Sequence, residues 1–141
     1  MRKYTGEFYI KFEDIDAAGW LFYPRFFEIC HNLFEDCFNS QVLFSYAAMI
    51  KKKNIGLPIV QISAKYYSPL QHGDMALASF KVSNISQHSF TSEFDIFKKE
   101  GQILSFQAKI TNVCINFTTK KSTKIPKSIR NFLTFNDKVF Q

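Results

Sequence analysis

The feature that most constrains this chain is a helix whose apolar surface is too wide for one-sided packing. From Pro24 onward, Phe26, Phe27, Ile29, Cys30, Leu33, Phe34, Cys37 and Phe38 recur at three- and four-residue steps, with Glu28, Asn32, Glu35, Asp36 and Asn39 between them. Such a helix must be wrapped, and the wrapping material follows in the chain. Val60, Ile62, Ala64 and Tyr66 alternate in one run, Phe80 and Val82 in a second, Phe90, Phe94 and Ile96 in a third, and Leu104, Phe106, Ala108 and Ile110 in a fourth. Upstream, Phe8, Ile10 and Phe12 alternate with charged and polar neighbours, predicting a first strand from about Glu7 to Glu13. Val113, Ile115 and Phe117 run in the opposite phase to Ile110, so a bulge or sharp coil is expected near Thr111 or Asn112. Gly73-Asp74, Ser83 to Gln87, and Gly101 supply turns short enough for antiparallel neighbours. The expected fold is α+β, a curved five-stranded antiparallel sheet around one long buried helix. Short helices are expected within 42–54 and 125–133, the latter with Pro126 near its start.

At 141 residues and 46% hydrophobic, the chain has the apolar content for one domain with a real core, and it shows no linker, repeat or low-complexity tract. The basic N-terminus is followed by alternating residues, not by the apolar stretch of a secretory signal, and no run approaches the ~18 residues that span a bilayer. Cys30, Cys37 and Cys114 are odd in number and lack metal-ligand spacing, which argues against a disulfide framework and against zinc. The expected compartment is reducing, the cytoplasm, with Cys30 and Cys37 as core thiols.

Chemistry is concentrated in Asp14-Ile15-Asp16-Ala17-Ala18-Gly19-Trp20-Leu21-Phe22-Tyr23-Pro24. Proline is favoured at the first helical position, so the helix is expected to begin at Tyr23 or Pro24. Free backbone N–H groups of that first turn, notably that of Tyr23, then point beyond the helix end, where a carbonyl oxygen gaining charge would be stabilised. Asp16, seven residues upstream across a glycine turn, has the reach to face the same point. Taken alone, Asp16 reads first as a turn or capping carboxylate, and Asp14 as one that closes the turn or orients its surroundings.

These residues resemble the signature of the hotdog-fold acyl-CoA thioesterases of the 4-hydroxybenzoyl-CoA thioesterase family. That signature has an acidic residue, any residue, Asp, two small residues, Gly, apolar residues, then Tyr or Asn opening the central helix. The resemblance continues through Gly56-Leu57-Pro58-Ile59-Val60, Ser68 to Asp74, His88-Ser89-Phe90 and Lys124-Ile125-Pro126. Ile29-Cys30-His31-Asn32 and Leu57 to Val60 look most like the 1,4-dihydroxy-2-naphthoyl-CoA thioesterases of phylloquinone and menaquinone synthesis. The resemblance implies that Asp16 is the catalytic carboxylate, as nucleophile or general base, and that the Tyr23 N–H polarises the thioester. It also implies a homodimer or homotetramer with sites at the subunit boundary. His31 departs from the acid that binds the phenol hydroxyl in the hydroxybenzoyl enzymes, which puts 4-hydroxybenzoyl-CoA in doubt while leaving a hydroxyl-binding role open. Gln61, Tyr66, Tyr67 and His72 are further pocket candidates. No metal or redox cofactor is expected, coenzyme A being part of the substrate.

The formal charge of +6 matters less than its distribution. Lys120, Lys121, Lys124, Lys127 and Arg130 lie in an acid-free segment, and Lys120, Lys121 and Lys124 are candidates for attracting the phosphates of coenzyme A. Lys51-Lys52-Lys53 reads as a solvated face. Nucleic-acid binding would need aromatics interleaved with these cations, whereas the phenylalanines follow core periodicity. Straight-chain or carrier-protein thioesters, and a non-catalytic acyl-CoA-binding role, stand as the alternatives.

Overall fold

A computed structural model describes residues 3–134. The chain runs β1 (Tyr4–Tyr9), α1 (Arg25–Gln41), α2 (Tyr46–Lys51), β2 (Ile55–Gly56), β3 (Ile59–Tyr66), β4 (Met75–Ile85), β5 (Ser89–Lys98), β6 (Ile103–Val113), β7 (Ile115–Asn116), β8 (Lys121–Ser122) and α3 (Lys127–Leu133). Five strands form one antiparallel sheet in the order β1-β4-β5-β6-β3, the number and kind expected. A small second sheet, β2-β7-β8, was not expected, because its two-residue strands are too short to show periodicity.

The first strand lies earlier than expected. It spans Tyr4–Tyr9, and a 3-10 turn at Phe12–Asp14 replaces its predicted end. Asp14 causes the change: its Oδ2 accepts the Lys11 N–H at 2.9 Å while its own N–H donates to the Lys11 carbonyl at 3.0 Å. Ile10 stays buried and bonds the Gly73–Asp74 backbone, but Phe12 is turned out to 68% exposure. The alternation of Phe8, Ile10 and Phe12 therefore spans a strand and a turn.

Helix α1 starts where expected, with Pro24 as its cap residue, and it buries Phe26, Ile29, Cys30, Leu33, Phe34 and Phe38. Cys37 is only half-buried, so one of the two expected core thiols sits at the edge. The opposing sheet face presents Ala76, Ala78, Phe80, Val82, Phe90, Phe94, Ile96, Phe106, Ala108 and Ile110. Phe34 stacks on Phe90 with centroids 5.8 Å apart and the planes 9° from parallel. Each such ring contributes roughly 2–3 kcal/mol of burial. Helix and sheet approach most closely at Gly6, where an added Cβ would stand 2.9 Å from Leu33 Cδ1. Ser45 caps α2 by accepting the Ala48 N–H at 3.0 Å, and α3 follows Pro126 as expected.

The expected phase slip near Thr111 does not occur in β6. The inward phase of Phe106, Ala108 and Ile110 continues through half-buried Asn112 to fully buried Cys114, and Phe117 is 43% exposed. The irregularity lies across the ladder in β3, where Ile59 pairs with Asn112 and Gln61 with Thr111, leaving Val60 as the extra residue. A polar residue at an inward position broke the sequence pattern without breaking the strand. Strand β3 is a sheet edge, and all eight of its residues are exposed, including Ile59, Val60, Ile62 and Tyr66.

Candidate active site

The segment from Asp14 to Tyr23 folds back on itself as a short closed loop. Phe22 N–H donates to the Asp14 carbonyl at 2.9 Å, Ile15 bridges Leu21, and Asp16 N–H donates to the Trp20 carbonyl at 2.8 Å. Gly19, at φ 84°, allows the reversal and donates to the Asp16 carbonyl at 3.0 Å. Leu21 N–H reaches the Leu70 carbonyl at 2.7 Å and Trp20 bridges Gln71, so the loop is fastened to the approach to β4.

Asp16 is held by this loop through one of its two oxygens. Oδ1 accepts the N–H groups of Ala18 at 2.9 Å and Trp20 at 3.2 Å, whereas Oδ2 has no partner among the described residues. The loop's hydrogen bonds therefore engage one oxygen of the carboxylate and leave the other free. At the helix start, Arg25 N–H donates to Phe22 at 2.8 Å and Phe27 N–H to Pro24 at 3.1 Å. The Tyr23 N–H makes no hydrogen bond among the described residues, which leaves it available at the positive end of α1. Tyr66, from the end of β3, donates its hydroxyl to the Tyr23 carbonyl at 2.7 Å while its ring packs edge-on against Phe26 and Phe106. Burial pushes the Tyr66 phenol up from its ordinary pKa, with Tyr23 and Cys30 adding to the shift.

One helical turn along from Tyr23, Phe27 opens an apolar pocket of about 310 Å³, which His31, Phe34, Leu57, Pro58, Ile59, Ile62, Phe94 and Ile110 also line. Its polar side chains are His31, Tyr46 and Asn112. The His31 ring stands edge-on to Tyr46 at 5.6 Å, and its Nε2 lies 3.4 Å from Glu35 Oε1. Asn112 Nδ2 donates to the Leu57 carbonyl at 2.8 Å. Of the candidates read from the sequence, Tyr23 and Tyr66 meet at the helix start, His31 lines the pocket, and Asp16 sits in the loop that leads to the helix. Tyr46 and Asn112 were missed. Tyr46 falls in a short helix with little pattern, and the inward polar position of Asn112 was read as a phase slip.

Residues 10–133 match the thioesterase-like superfamily. The chain belongs to that superfamily. It is 30% identical over 122 residues to the 1,4-dihydroxy-2-naphthoyl-CoA hydrolase of Microcystis aeruginosa, covering 86% of each chain. Its fold superposes on the crystal structure of a 1,4-dihydroxy-2-naphthoyl-CoA thioesterase from Synechocystis with a TM-score of 0.89, at 25% identity and covering 96% and 98% of the two chains. A gentisyl-coenzyme A thioesterase gives a TM-score of 0.78 at 27% identity over 89% and 98%. The protein is thus a thioester hydrolase of the hotdog fold.

Within this thioesterase the other candidates lie apart from the pocket. Gln61 lies on the outer face of β3 and Tyr67 just beyond its end; Gln61 shares a groove with Ser83 and Thr111, and Tyr67 donates to Gln107 at 2.7 Å. The His72 ring lies 5.8 Å from that of exposed Phe12, tilted by 42°, next to Gln71, which fastens the Asp16 loop. Lys120 ends the exposed turn between β7 and β8, Lys121 opens β8 and is also exposed, and Lys124 lines a separate groove with Ser86 and Arg130. The Arg130 guanidinium is committed to the Ser86 and Gln87 carbonyls at 2.7 and 3.3 Å, so it ties α3 to the β4–β5 turn. Cys30 makes no nucleophile, because burial pushes its thiol up to about 12. Among the described residues no helix is long and apolar enough to cross a membrane.

Proposed function

We propose that this thioesterase hydrolyses an aromatic acyl-CoA, with 1,4-dihydroxy-2-naphthoyl-CoA as the preferred substrate. The observation that carries the reading is the sequence of parts along α1. The loop leading into α1 carries a free Asp16 oxygen, an unpaired Tyr23 N–H stands at the helix start, and an apolar pocket with a few polar side chains begins one turn further on. A pocket of about 310 Å³ is at the small end of the ~300–1,000 Å³ typical of ligand sites, which favours a compact ring over a long chain.

The thioester carbonyl oxygen receives the Tyr23 N–H, so that charge developing on it meets a fixed donor at the positive end of a helix. Donors of this kind contribute ~10²- to 10³-fold in rate. Asp16 Oδ2 either attacks the carbonyl carbon, expelling the coenzyme A thiolate and leaving a mixed anhydride that water cleaves, or takes a proton from the water that attacks. Both routes end in free acid and thiol, and neither requires a metal or redox cofactor. Lys120, Lys121 and Lys124 attract the phosphates of coenzyme A. A second copy pairs along the exposed apolar edge of β3, which would otherwise invite uncontrolled pairing; sedimentation as a monomer at working concentration would refute this. The three free thiols fit a reducing, cytoplasmic setting.

The test is thiol release from 1,4-dihydroxy-2-naphthoyl, 4-hydroxybenzoyl, benzoyl and medium straight-chain thioesters of coenzyme A. Highest kcat/KM on the naphthoyl thioester is the expected result. Preference for straight chains would discard the substrate and keep the chemistry, and silence across the panel would favour a carrier-protein substrate or a binding role.

A further inference from the structure

The pocket contains one polar atom whose position dictates what kind of acyl group can fill it. Asn112 projects inward from β6 among Ile110, Phe94 and Ile62, and it is half-buried in an otherwise apolar wall. Its amide orientation is fixed by chemistry. The Leu57 carbonyl 2.8 Å away can only accept, so the atom facing it must be Nδ2. That leaves Oδ1 as an acceptor with no donor among the described residues, although the Tyr46 hydroxyl lines the same pocket.

The helix supplies the scale. Phe27 and His31 lie one turn apart on one face of α1, a step of ~6 Å, and Tyr23 precedes its cap. With the thioester carbonyl at the Tyr23 N–H, an acyl ring beside Phe27 would enter the pocket that Asn112 also lines. We infer that Asn112 is a specificity-determining residue, whose Oδ1 accepts a hydrogen bond from a hydroxyl on the acyl ring. This rests on the reading of the pocket as the acyl site of an aromatic acyl-CoA thioesterase, and it narrows that substrate class to rings carrying a hydroxyl donor. A ring without the hydroxyl would cover Oδ1 and leave it desolvated and unpaired, which lowers affinity for the wrong substrate more than it raises it for the right one.

The test compares 1,4-dihydroxy-2-naphthoyl-CoA with 1-hydroxy-2-naphthoyl-CoA, which lacks only the distal hydroxyl, in the wild-type, Asn112→Leu and Asn112→Asp proteins. The expected wild-type ratio of kcat/KM favours the dihydroxy substrate by roughly ten- to a hundredfold, the penalty of one unpaired buried acceptor. Asn112→Leu collapses that ratio toward one, and Asn112→Asp, which loses the donor to Leu57 but keeps an oxygen acceptor, retains it. Loss of both substrates in equal proportion in Asn112→Leu would show that the residue only holds Leu57 in place and would overturn the inference. Binding of the two free naphthoic acids, followed by calorimetry, separates this failure from failure of the hydrolytic reading. An Asn112-dependent preference for the dihydroxy acid would uphold the inference even in a protein that cleaves neither thioester, and equal binding of the two acids would sink it.

Discussion

Replacing Asp16 by Asn and by Ala separates this carboxylate's part in holding the loop from the catalytic part proposed for it. In the folded loop Oδ1 accepts two backbone N–H groups, at 2.9 and 3.2 Å, while Oδ2 is free for chemistry. Asparagine can keep the first part: Ala18 and Trp20 require an acceptor, so its amide oxygen takes the Oδ1 place and its NH₂ group occupies the place of Oδ2. A donor then stands where a nucleophile or base is needed. Alanine removes both parts. Asp16 is half-buried, so water can reach the two released N–H groups, and the expected stability loss in Asp16→Ala is about 1–2 kcal/mol. For a domain of this size that lowers Tm by roughly 4–8 °C. Asp16→Asn exchanges charge-assisted bonds for neutral ones and is expected to lose only about 0.5 kcal/mol, roughly 2 °C. Turnover should fall equally in both, by ~10²- to 10⁴-fold, equivalent to about 3–5 kcal/mol of barrier. The assays are thiol release on a saturating aromatic acyl-CoA and thermal unfolding of the same preparations. Asp16→Asn protein with turnover within about tenfold of wild type would refute a catalytic Asp16. Activity that tracked Tm across the two variants would reduce the residue to its turn role.

Three further outcomes are expected. Tyr66→Phe removes the 2.7 Å bond to the Tyr23 carbonyl but keeps the ring packing on Phe26 and Phe106, so kcat should fall about threefold to tenfold with KM little changed; a change confined to KM would remove Tyr66 from positioning the helix start. Neutralising Lys120, Lys121 and Lys124 together should raise KM for coenzyme A thioesters at low ionic strength and less so at high salt, and an unchanged KM would detach these lysines from substrate capture. The Cys30 thiol is raised by burial to about 12 in the folded protein, so the stability that its neutral form confers is intact below the unfolded thiol's pKa of roughly 8.5 and is lost as pH rises from there toward 12. Thermal melts between pH 8 and 11 should accordingly decline less in Cys30→Ala than in wild type, and parallel declines would show that the thiol does not carry the linkage.

The candidate site was legible to different depths. Asp16, Gly19, Tyr23 and Pro24 were readable because they fall within nine residues, where turn chemistry and helix capping act locally. The end of β1 was misplaced because Asp14 captures the Lys11 N–H and converts an alternating pattern into a 3-10 turn. Asn112 was invisible as a pocket residue, since its inward position depends on a partner, the Leu57 carbonyl, that lies 55 residues away. Gln61 and Tyr67 share an outward face that Tyr66 does not, a distinction that strand parity alone implied but that the bulge at Val60 made uncertain until the register was known.

By itself the sequence determined the main sheet and its helix: a helix too apolar to be left uncovered, five strand-forming runs to cover it, and a carboxylate–glycine–proline segment at the helix start. Those properties follow from residue spacing, because side-chain periodicity and turn preferences are set over a few neighbouring residues. Only the tertiary structure decided that one oxygen of Asp16 is spent on the loop while the other is free, that Tyr66 fastens the helix start, and that His31, Tyr46 and Asn112 share one pocket. These depend on contacts between residues up to tens of positions apart, whose meeting is fixed by strand register and by packing of α1 on the sheet, quantities that no local pattern contains.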